Sequence, residues 1–419
     1  MGHNPSSLAV ADVNLDGTLD LVTADEFSNT VSALFGEGDG AFPAAQGYGV
    51  GSRPQAVAAD DLDSDGRLDL VTANASSDDV SVLLRQFKGS FVTVLNIELS
   101  DSAFGPRDVV IADLENGDAV LDLVTANAGV EANPSTTVST LFGVRPAGFR
   151  VENFDAYSMR QGAVAVGDLN GDTLPDLVTA SLGTEHEPAN RVYVLLSQGL
   201  ERYELLHAPA IQVDTGPQDV ELGDFSGDGV LDLVTANANA DTVSVILGRS
   251  NGNFNVGSRR NIAVGRRPVA VAIEDLNNDG RLDLVTANAD DHNVSVLFGQ
   301  GNGNFVPADP PEFAAGVGPS DVAVDDLAGV LGGGAPGLYV VTANANSNNV
   351  AVLKIREGVG SITLSAPQFF SVGTRPISVQ VADFNADGRP DLITANEDSD
   401  NVSVLLQRDS ADGECLFTP

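Results

Sequence analysis

The sequence predicts an all-β fold, a β-propeller of eight blades with four antiparallel strands in each. Three observations support this prediction. An acidic segment recurs eight times, at intervals of 49 to 57 residues, along the whole chain of 419 residues. Short apolar runs typical of strands flank each copy, and no helical periodicity extends over a useful length. A repeat of this length that fills a chain indicates similar units that bury their apolar faces against one another.

Each repeat is predicted to contain four short strands in a fixed order. It begins with a turn such as Gly51–Pro54 and a first strand of small and β-branched residues such as Val269–Ala272. The acidic segment follows, and then a second strand that reads Asp-Leu-Val-Thr-Ala-Asn and a third that reads Val-Ser-Val-Leu. A glycine-rich turn such as Gly299–Phe305 opens a weaker fourth strand.

The chain is interpreted as one domain, residues 1–419, because no linker interrupts the period. Eight first-strand signatures predict blades at about residues 5–50, 51–103, 104–158, 159–213, 214–263, 264–314, 315–371 and 372–419. Seven blades are the alternative, with the degenerate seventh repeat outside the ring. The chain starts on a first strand and ends where its last fourth strand begins, which predicts closure without strand exchange and a shortened final blade.

The formal net charge of −38 bears on possible partners. So acidic a surface repels nucleic acid and anionic membranes, and neither is expected as a partner. No apolar stretch approaches the length of a membrane helix, so no membrane insertion is expected. Cys415 is the only cysteine, which leaves packing and bound metal as sources of stability. No signal peptide is visible at Met1–Asn4, and we expect a mature or excised extracellular or cell-surface chain that is monomeric.

Six of the acidic segments have the spacing of a calcium-binding loop. Oxygen-bearing side chains stand at positions 1, 3, 5 and 9, position 7 offers a main-chain carbonyl, and glycine at position 6 permits a sharp turn. Oxygen ligands without histidine or cysteine favour calcium over zinc or copper. Magnesium is disfavoured because so rich a ligand set leaves little room for its retained waters. The sequence therefore predicts about six Ca²⁺ sites.

The predicted ligands form six sets in the same order. The side-chain ligands are Asp12, Asn14, Asp16 and Asp20; Asp61, Asp63, Asp65 and Asp69; Asp168, Asn170, Asp172 and Asp176; Asp224, Ser226, Asp228 and Asp232; Asp275, Asn277, Asp279 and Asp283; and Asp383, Asn385, Asp387 and Asp391. The carbonyl donors are Thr18, Arg67, Leu174, Val230, Arg281 and Arg389.

Three repeats depart from the pattern. In the fourth repeat Thr173 stands where glycine is usual, which predicts a slightly different turn. In the third repeat an extra residue between Asp113 and Asp122 makes a bound ion doubtful. The seventh repeat, from Asp326 to Gly337, has lost its other acids and is expected to be empty.

The sequence leaves two alternatives to a functional role of calcium. A single aspartate-rich turn is often only a solvated hairpin, but six in-register copies argue against that reading. Where calcium binds, a structural role is favoured over a role in recognition, because each loop supplies most of a coordination shell.

At these residues the chain resembles the FG-GAP/VCBS repeat family, known from the β-propeller of integrin α subunits and from bacterial surface proteins. The resemblance rests on Phe35-Gly36, Phe142-Gly143 and Phe298-Gly299 at the ends of third strands, on the Gly-x-Arg-Pro and Gly-Pro turns, and on the six loops. It implies calcium between the first two strands of a blade, on the face opposite the usual ligand-binding face. The chain has eight units where integrins have seven and no large insertion, so integrin-type recognition is not implied.

A ligand is predicted at the rim opposite the calcium loops, where the Thr-Ala-Asn turns and the Arg-Pro connections lie together. The sequence predicts a ring there made of Asp25, Asn74, Asn127, Ser181, Asn237, Asn288, Asn344 and Asn396. Near this ring are Arg53, Arg107, Arg266, Arg267 and Arg375. Amides and guanidinium groups suit a carbohydrate or carboxylate ligand. The favoured alternative is that the amides stabilise the hairpin turns and the arginines offset acidity.

The sequence favours a calcium-stabilised extracellular scaffold for binding or adhesion, with a protein or carbohydrate ligand. A carbohydrate-active protein, either a lectin or a polysaccharide lyase, is the alternative. No catalytic residue is assigned and catalysis is not expected, because the four histidines are scattered. His186, between Glu185 and Glu187, is the least implausible acid or base, in one of the two irregular segments, Gly183–Asn190 and Gly129–Thr137. The absence of tryptophan weakens a lectin hypothesis based on aromatic stacking.

Overall fold

The structure is a computed structural model that describes residues 1–86, 90–99, 104–114, 120–129, 137–144, 148–155, 161–181, 190–199, 203–205, 210–327, 337–358, 361–408 and 416–418. These residues form eight antiparallel sheets and one short 3₁₀ helix, Val256–Ser258. None of the helical structure in the described part of the chain is long and apolar enough to cross a membrane. The predicted all-β class is confirmed.

Each sheet is one blade, and its strands pair in sequence order. Blade 1 holds β1 (Pro5–Ala11), β2 (Asp20–Asp25), β3 (Thr30–Leu34) and β4 (Ala45–Gly49); blade 2 holds β5 (Pro54–Asp60), β6 (Asp69–Asn74), β7 (Asp79–Arg85) and β8 (Phe91–Glu98). Blade 3 holds β9 (Pro106–Ala112), β10 (Asp122–Asn127), β11 (Thr137–Val144) and β12 (Gly148–Asp155); blade 4 holds β13 (Gln161–Gly167), β14 (Asp176–Ser181), β15 (Arg191–Ser197), β16 (Tyr203–Leu205) and β17 (Ile211–Gln212).

The second half of the chain repeats the arrangement. Blade 5 holds β18 (Pro217–Gly223), β19 (Asp232–Asn237), β20 (Thr242–Ile246) and β21 (Arg260–Ala263); blade 6 holds β22 (Pro268–Glu274), β23 (Asp283–Asn288), β24 (Asn293–Gly299) and β25 (Phe305–Ala314). Blade 7 holds β26 (Pro319–Asp326), β27 (Leu338–Asn344), β28 (Asn349–Gly358), β29 (Ser361–Leu364) and β30 (Gln368–Ser371); blade 8 holds β31 (Pro376–Ala382), β32 (Asp391–Asn396), β33 (Asn401–Arg408) and β34 (Leu416–Thr418). In blades 4 and 7 two short strands share the place of the fourth strand.

The eight blades close into a ring. The first strand of each blade contacts the first strand of the next, and β31 of the last blade contacts β1. The final blade completes itself with β34, a strand of three residues that pairs with β33. Eight blades, closure without strand exchange and a shortened last blade are therefore confirmed, and the seven-bladed alternative is wrong.

The hydrophobic core lies between the blades rather than inside any one of them. Every residue of β6 is buried, with Leu70 packing against Val22 of blade 1 and Val71 packing near Leu123 of blade 3. A strand buried on both faces needs apolar side chains at successive positions, which explains the near-continuous apolar sequence of the second strands. One such cluster lies at every junction, including that between Leu8 of blade 1 and Ile393 of blade 8.

Alternate junctions carry an additional hydrogen bond close to the ring axis. The third residue of the first strand in blades 1, 3, 5 and 7 accepts a backbone N–H from the first strand of the next blade. The acceptor and donor pairs are Ser7 and Val57 (3.3 Å), Asp108 and Val164 (3.3 Å), Asp219 and Val271 (3.0 Å), and Asp321 and Val379 (2.9 Å). Blades 2, 4 and 6 have alanine at this position and blade 8 has Ser378, so this particular bond links blades 1 and 2, 3 and 4, 5 and 6, and 7 and 8.

Candidate metal centres and the opposite rim

Each acidic loop joins the first strand to the second at one end of the blade, which we call the loop rim. In blade 2 the carboxylate of Asp61 accepts the N–H of Asp65 at 3.0 Å and that of Gly66 at 2.8 Å. Asp63 accepts the N–H of Asp65 at 3.2 Å, and Asp65 accepts that of Arg67 at 3.0 Å. The loop therefore wraps around its own carboxylates, and oxygens of Asp61, Asp63 and Asp65 lie within 4.8 Å of one another.

The other five intact loops follow the same path. Position 1 accepts the N–H of position 6 in the pairs Asp12 and Gly17 (2.9 Å), Asp168 and Thr173 (2.9 Å), Asp224 and Gly229 (2.8 Å), Asp275 and Gly280 (2.7 Å), and Asp383 and Gly388 (2.8 Å). Position 5 accepts the N–H of position 7 in the pairs Asp16 and Thr18, Asp172 and Leu174, Asp228 and Val230, Asp279 and Arg281, and Asp387 and Arg389. Local spacing alone thus determines the loop conformation.

Position 9 is a fully buried aspartate that connects its loop to the end of the third strand. Asp69 accepts the N–H of Leu62 at 3.1 Å through one oxygen and that of Arg85 at 2.8 Å through the other. Burial, together with the nearby loop carboxylates, raises the pKa of Asp69 to about 6 although its backbone hydrogen bonds oppose the shift. The same causes raise the pKa of Asp283 to about 7. The loops concentrate more negative charge than nearby groups balance.

This donor set fits Ca²⁺ on chemical grounds. Positions 1, 3, 5 and 9 present carboxylate, amide or hydroxyl oxygens, and the predicted ligands include no imidazole or thiolate. The cation would be held by these four side chains and would supply positive charge to the buried aspartate. Three loops have an arginine at position 7 whose side chain lies beside the position-5 carboxylate: Arg67 beside Asp65, Arg281 at 3.7 Å from Asp279, and Arg389 at 3.6 Å from Asp387.

The fourth repeat differs slightly from the first in its hydrogen bonds, because Asp168 accepts the N–H of Gly171 at 2.8 Å where Asp12 accepts that of Asp16 at 3.1 Å, but the left-handed positions are the same. Gly171 and Thr173 have φ angles of +77° and +73°, and the corresponding residues of blade 1, Leu15 and Gly17, have +55° and +89°. Thr173 therefore adopts the left-handed conformation that glycine adopts elsewhere. The loop keeps its path, but Thr173 carries conformational strain, because a β-branched side chain is disfavoured in the left-handed conformation.

The third and seventh loops lie partly outside the described residues, at 115–119 and 328–336. The expectations of doubtful occupancy in the third repeat and of an empty loop in the seventh therefore stay predictions. Asp122 nevertheless matches the closing aspartate of the intact loops, because it accepts the N–H of Leu114 at 2.8 Å and of Gly143 at 2.7 Å. In blade 2 the closing aspartate, Asp69, pairs with Asp60, the last residue of the first strand. In the seventh repeat Tyr339 takes the place of that aspartate and pairs with Asp325.

At the other end of the blades, which we call the turn rim, the predicted ring of polar residues is buried. Asn288 accepts the hydroxyl of Thr286 at 3.0 Å and donates to Asn293 at 2.8 Å and to Ser295 at 2.9 Å. All eight members of the ring have 0 or 1% exposure. The hypothesis of a ligand-binding amide ring is therefore wrong, because these side chains stabilise the turns between the second and third strands from inside the blade.

Most of the predicted rim arginines are half exposed and lie beside carboxylates. Arg53 pairs with Glu26, Arg266 with Asp291 at 2.6 Å, Arg267 with Asp290 at 3.5 Å, and Arg375 with Glu397 at 2.7 Å. Arg107 lies on β9 and is also exposed. The arginines therefore remain available at the surface, while they also offset nearby negative charge.

One hydrogen bond recurs between neighbouring blades at the turn rim, and we call it the junction bond. The residue before the first strand donates its N–H to the side chain of a left-handed residue that precedes the third strand of the previous blade. The donor and acceptor pairs are Asn4 and Asp400 (2.7 Å), Arg53 and Asn29 (2.9 Å), Gly105 and Asp78 (2.8 Å), Arg267 and Asp241 (2.9 Å), Gly318 and His292 (3.1 Å), and Arg375 and Asn348 (2.9 Å). The junction between blades 8 and 1 thus uses the same bond as five other junctions in the described part of the chain.

A cavity of about 280 Å³ opens at the turn rim where blades 6, 7 and 8 meet. Its polar lining includes Arg267, Asp290, His292, Asn346 and Arg375. The sequence identified the two arginines, but it did not identify His292 or Asn346 as part of one site. Three blades contribute these residues, so no local spacing relates them. We call this feature the rim cavity.

Histidine chemistry in the described residues is limited to two side chains. His3 Nδ1 lies 2.7 Å from Asp400 Oδ2, but the His3 side chain is 75% exposed. The ring of His292 contacts backbone groups of Ala289 and Gly318. His186, with Glu185 and Glu187, and His207 lie outside the described residues.

Solved structures that match this one share little sequence identity with it. A 6-phosphogluconolactonase-like protein of Bacteroides uniformis matches with a TM-score of 0.53 at 15% identity, over 89% of this chain and 98% of that one. A 6-phosphogluconolactonase-like protein of Bacteroides fragilis matches with a TM-score of 0.53 at 13% identity, over 88% and 96%. Identity this low shows the fold alone. Comparison with curated protein sequences finds no match.

The repeat itself is recognised at sequence level. The profile of the FG-GAP-like repeat matches six segments, residues 12–72, 61–125, 168–235, 224–286, 275–329 and 337–394. These segments cover most of the chain and contain all six intact loops. The chain belongs to the FG-GAP-like repeat family.

Proposed function

We propose that this protein is a calcium-stabilised β-propeller that acts outside the cell or at its surface as a scaffold for binding or adhesion. One observation carries the calcium part of the proposal. Six loops share the hydrogen bond from the N–H of position 6 to the carboxylate of position 1, and in blade 2 the loop brings the oxygens of Asp61, Asp63 and Asp65 within 4.8 Å of one another. Six repetitions of one oxygen-lined loop are the pattern expected when each loop holds the same hard cation.

We propose the extracellular location because calcium is plentiful there. Calcium sites with the weak affinity of extracellular modules fill only under such conditions. Metal binding to the native state then adds to the free energy of unfolding. Six sites distributed around the ring would stabilise the blades from the loop rim.

The binding part of the proposal concerns the turn rim. Calcium has a structural role at the loop rim in this account, which leaves the turn rim for a partner. The junction bonds connect neighbouring blades at this rim, and half-exposed arginines stand on it. A protein or carbohydrate ligand with acidic groups suits such a surface.

The test has two parts. Calcium titration of the chelated protein, followed by calorimetry and native mass spectrometry, should show about six bound ions. A glycan array and a pull-down with extracellular matrix proteins, each with and without calcium, should then identify a calcium-dependent partner. Absence of bound calcium would overturn the metal proposal, and absence of any partner with calcium bound would overturn the scaffold proposal alone.

A carbohydrate-active protein is the second candidate, and the rim cavity is the observation that favours it. A lectin would bind a sugar there without changing it. A lyase would release unsaturated products from acidic polysaccharides, which ultraviolet absorbance detects. Binding without such products would select the lectin.

A further inference from the structure

The rim cavity owes its shape to a change of two residues in blade 7. The residue before the first strand is Arg267 in blade 6 and Arg375 in blade 8, but it is Gly318 in blade 7. The turn residue that faces this position is Asp290 in blade 6, and it is Asn346 in blade 7. Blade 7 therefore lacks the arginine and carboxylate pair that both of its neighbours carry, and the cavity opens between the two remaining arginines.

Gly318 is closely constrained in this arrangement. Its φ is +66°, and a Cβ added to it would lie 2.4 Å from the side-chain nitrogen of Asn346. The amide of Asn346 thus stands directly beside the glycine backbone, where the neighbouring blades place an arginine stem. The Gly318 and Asn346 combination sets the volume of the cavity.

The charge of the lining points to an anion. Two guanidinium groups and the imidazole of His292 line the cavity, against one carboxylate, that of Asp290. Arg375 keeps a firm partner, Glu397 at 2.7 Å, but the Arg267 and Asp290 pair is loose at 3.5 Å and both side chains are more than half exposed. A solvent-exposed pair of this kind contributes little and exchanges readily for another anion. Two guanidinium groups at one site contrast with the net charge of −38 over the whole protein.

The remaining lining points to an organic ligand rather than to a bare inorganic ion. Val269, Pro319 and Ile377 contribute apolar surface to the cavity. Ser320 is not available to a ligand as a donor, because its hydroxyl contacts the carbonyls of Ala343 and Pro376. The polar contacts left for a ligand are therefore the guanidinium groups, the imidazole and the amide of Asn346. Guanidinium groups bind carboxylates through two parallel hydrogen bonds, and apolar walls suit the carbon face of a ring.

We propose that the rim cavity is a binding site for a small organic carboxylate of monosaccharide size, such as a hexuronate, held between Arg267 and Arg375. This inference deepens the proposal that the turn rim binds a ligand, and it rests on that proposal. A free sugar acid and the terminal residue of an acidic polysaccharide present the same chemistry to the cavity.

The first experiment compares D-glucuronate with D-glucose, which differ at the carboxylate, and with inorganic phosphate. Calorimetry on the calcium-loaded full chain should show binding of glucuronate and none of glucose or phosphate. Equal binding of glucose, binding of phosphate in place of glucuronate, or no binding of glucuronate would overturn the inference. An oligouronate run in parallel separates the two sources, because a terminal-residue site binds the oligomer at least as tightly as the monomer.

The second experiment uses variants of the cavity. Arg267→Gln and Arg375→Gln should each weaken glucuronate binding about tenfold or more, which is the loss expected for one charge-assisted contact. The double variant Gly318→Arg with Asn346→Asp gives blade 7 the pattern of its neighbours and should fill the cavity and abolish binding. Arg53→Gln, at the equivalent position of blade 2 outside the cavity, is the matched control and should bind as the wild type does.

Calcium stoichiometry and the melting temperature of every variant keep the two proposals separable. A folded, calcium-loaded double variant that still binds glucuronate would overturn the assignment of this cavity. A wild-type protein that binds calcium but not glucuronate would overturn the cavity proposal and leave the calcium-stabilised scaffold standing. Should Arg375→Gln fail to fold because Glu397 loses its partner, Arg267→Gln still tests the site, since its partner is exposed.

Discussion

Gly318 donates its backbone N–H to Nδ1 of His292 at 3.1 Å, and this junction bond between blades 6 and 7 differs from the others described. The other described junctions use a carboxylate or amide oxygen as acceptor, as with Asn348 at the next junction. The same Nδ1 lies 3.0 Å from the carbonyl of Ala289. A ring nitrogen that carries a proton can serve the carbonyl but cannot accept from Gly318.

Loss of the ring acceptor should therefore weaken this junction. His292→Ala removes the acceptor of the Gly318 N–H and should lower the melting temperature. His292→Asn supplies an oxygen acceptor, as Asn348 does one blade further, and should melt closer to the wild type in thermal unfolding with saturating calcium. Equal melting temperatures of His292→Ala and the wild type would contradict a contribution of this bond to stability.

Thr173→Gly should stabilise the protein by about 1 kcal/mol, because a non-glycine residue in the left-handed region carries a cost of this order. The gain in stability is limited because glycine loses more backbone freedom on folding than threonine does. Chemical unfolding of the calcium-free protein measures the change in the free energy of unfolding. The reverse change in blade 2, Gly66→Thr, should destabilise by a similar amount. A loss of stability in Thr173→Gly would contradict the strain argument.

Positions 5 and 9 of a calcium loop should behave differently when they are replaced. Asp65→Ala should remove one bound calcium and leave five of the six, with little change in the melting temperature of the calcium-free protein, because Asp65 lies at the surface. Asp69→Ala should lower that temperature even without calcium, because it leaves the buried N–H groups of Leu62 and Arg85 without their acceptor.

Native mass spectrometry and thermal melting after chelation distinguish these outcomes. Asp39→Ala, an exposed aspartate outside the loops, is the control for the lost charge. Identical behaviour of Asp65→Ala and Asp69→Ala in the absence of metal would contradict the separate roles of the two positions.

The acidic group near the ring axis predicts a dependence on pH. Burial and repulsion from Asp219 and Asp108 raise the pKa of Glu221 from 4.5 to about 7. Between pH 4.5 and about pH 7, Glu221 binds more protons in the native protein than in the unfolded chain. The contribution of Glu221 to the free energy of unfolding therefore falls as the pH rises. Glu221→Gln should therefore raise the melting temperature relative to the wild type at pH 8 and leave it unchanged at pH 4.

The amide is known to fit at this place, because blade 8 carries Gln380 at the equivalent position of its first strand. Surrounding protein atoms partly desolvate the carboxyl group of Glu221, but the residue keeps exposed surface, so screening by solvent limits the size of the effect. Glu37→Gln, at an exposed site on the loop rim, controls for the change in net charge. A gain of equal size at pH 4 and pH 8 would show that titration of Glu221 is not its cause.

The sequence predicted the features that depend on interactions between residues close together in the chain. Asp61, Asp65 and Gly66 predict their loop because the hydrogen bonds that form it join residues four and five positions apart. The order of the strands follows from alternation and from turns that are equally local. Repetition of the unit then implies the ring, because no blade can bury both of its faces alone.

The features that the sequence did not predict depend on contacts between distant residues. The favoured alternative, that amides such as Asn288 stabilise the hairpin turns, is confirmed, but only packing of the blade shows that Asn288 is fully buried rather than presented at the rim. The rim cavity depends on Arg267, Gly318 and Arg375, which lie about one repeat apart and meet only in the closed ring. Thr173 departs from the loop pattern, but the surrounding hydrogen bonds impose the common path on it.

Calcium binding to the chelated wild-type protein, counted by native mass spectrometry and followed by thermal melting, tests the central claim most directly. The account predicts about six bound ions at millimolar calcium and a melting temperature that rises with the calcium concentration. A protein that binds no calcium, or whose melting temperature is the same with and without it, would contradict the assignment of the six loops as structural calcium sites.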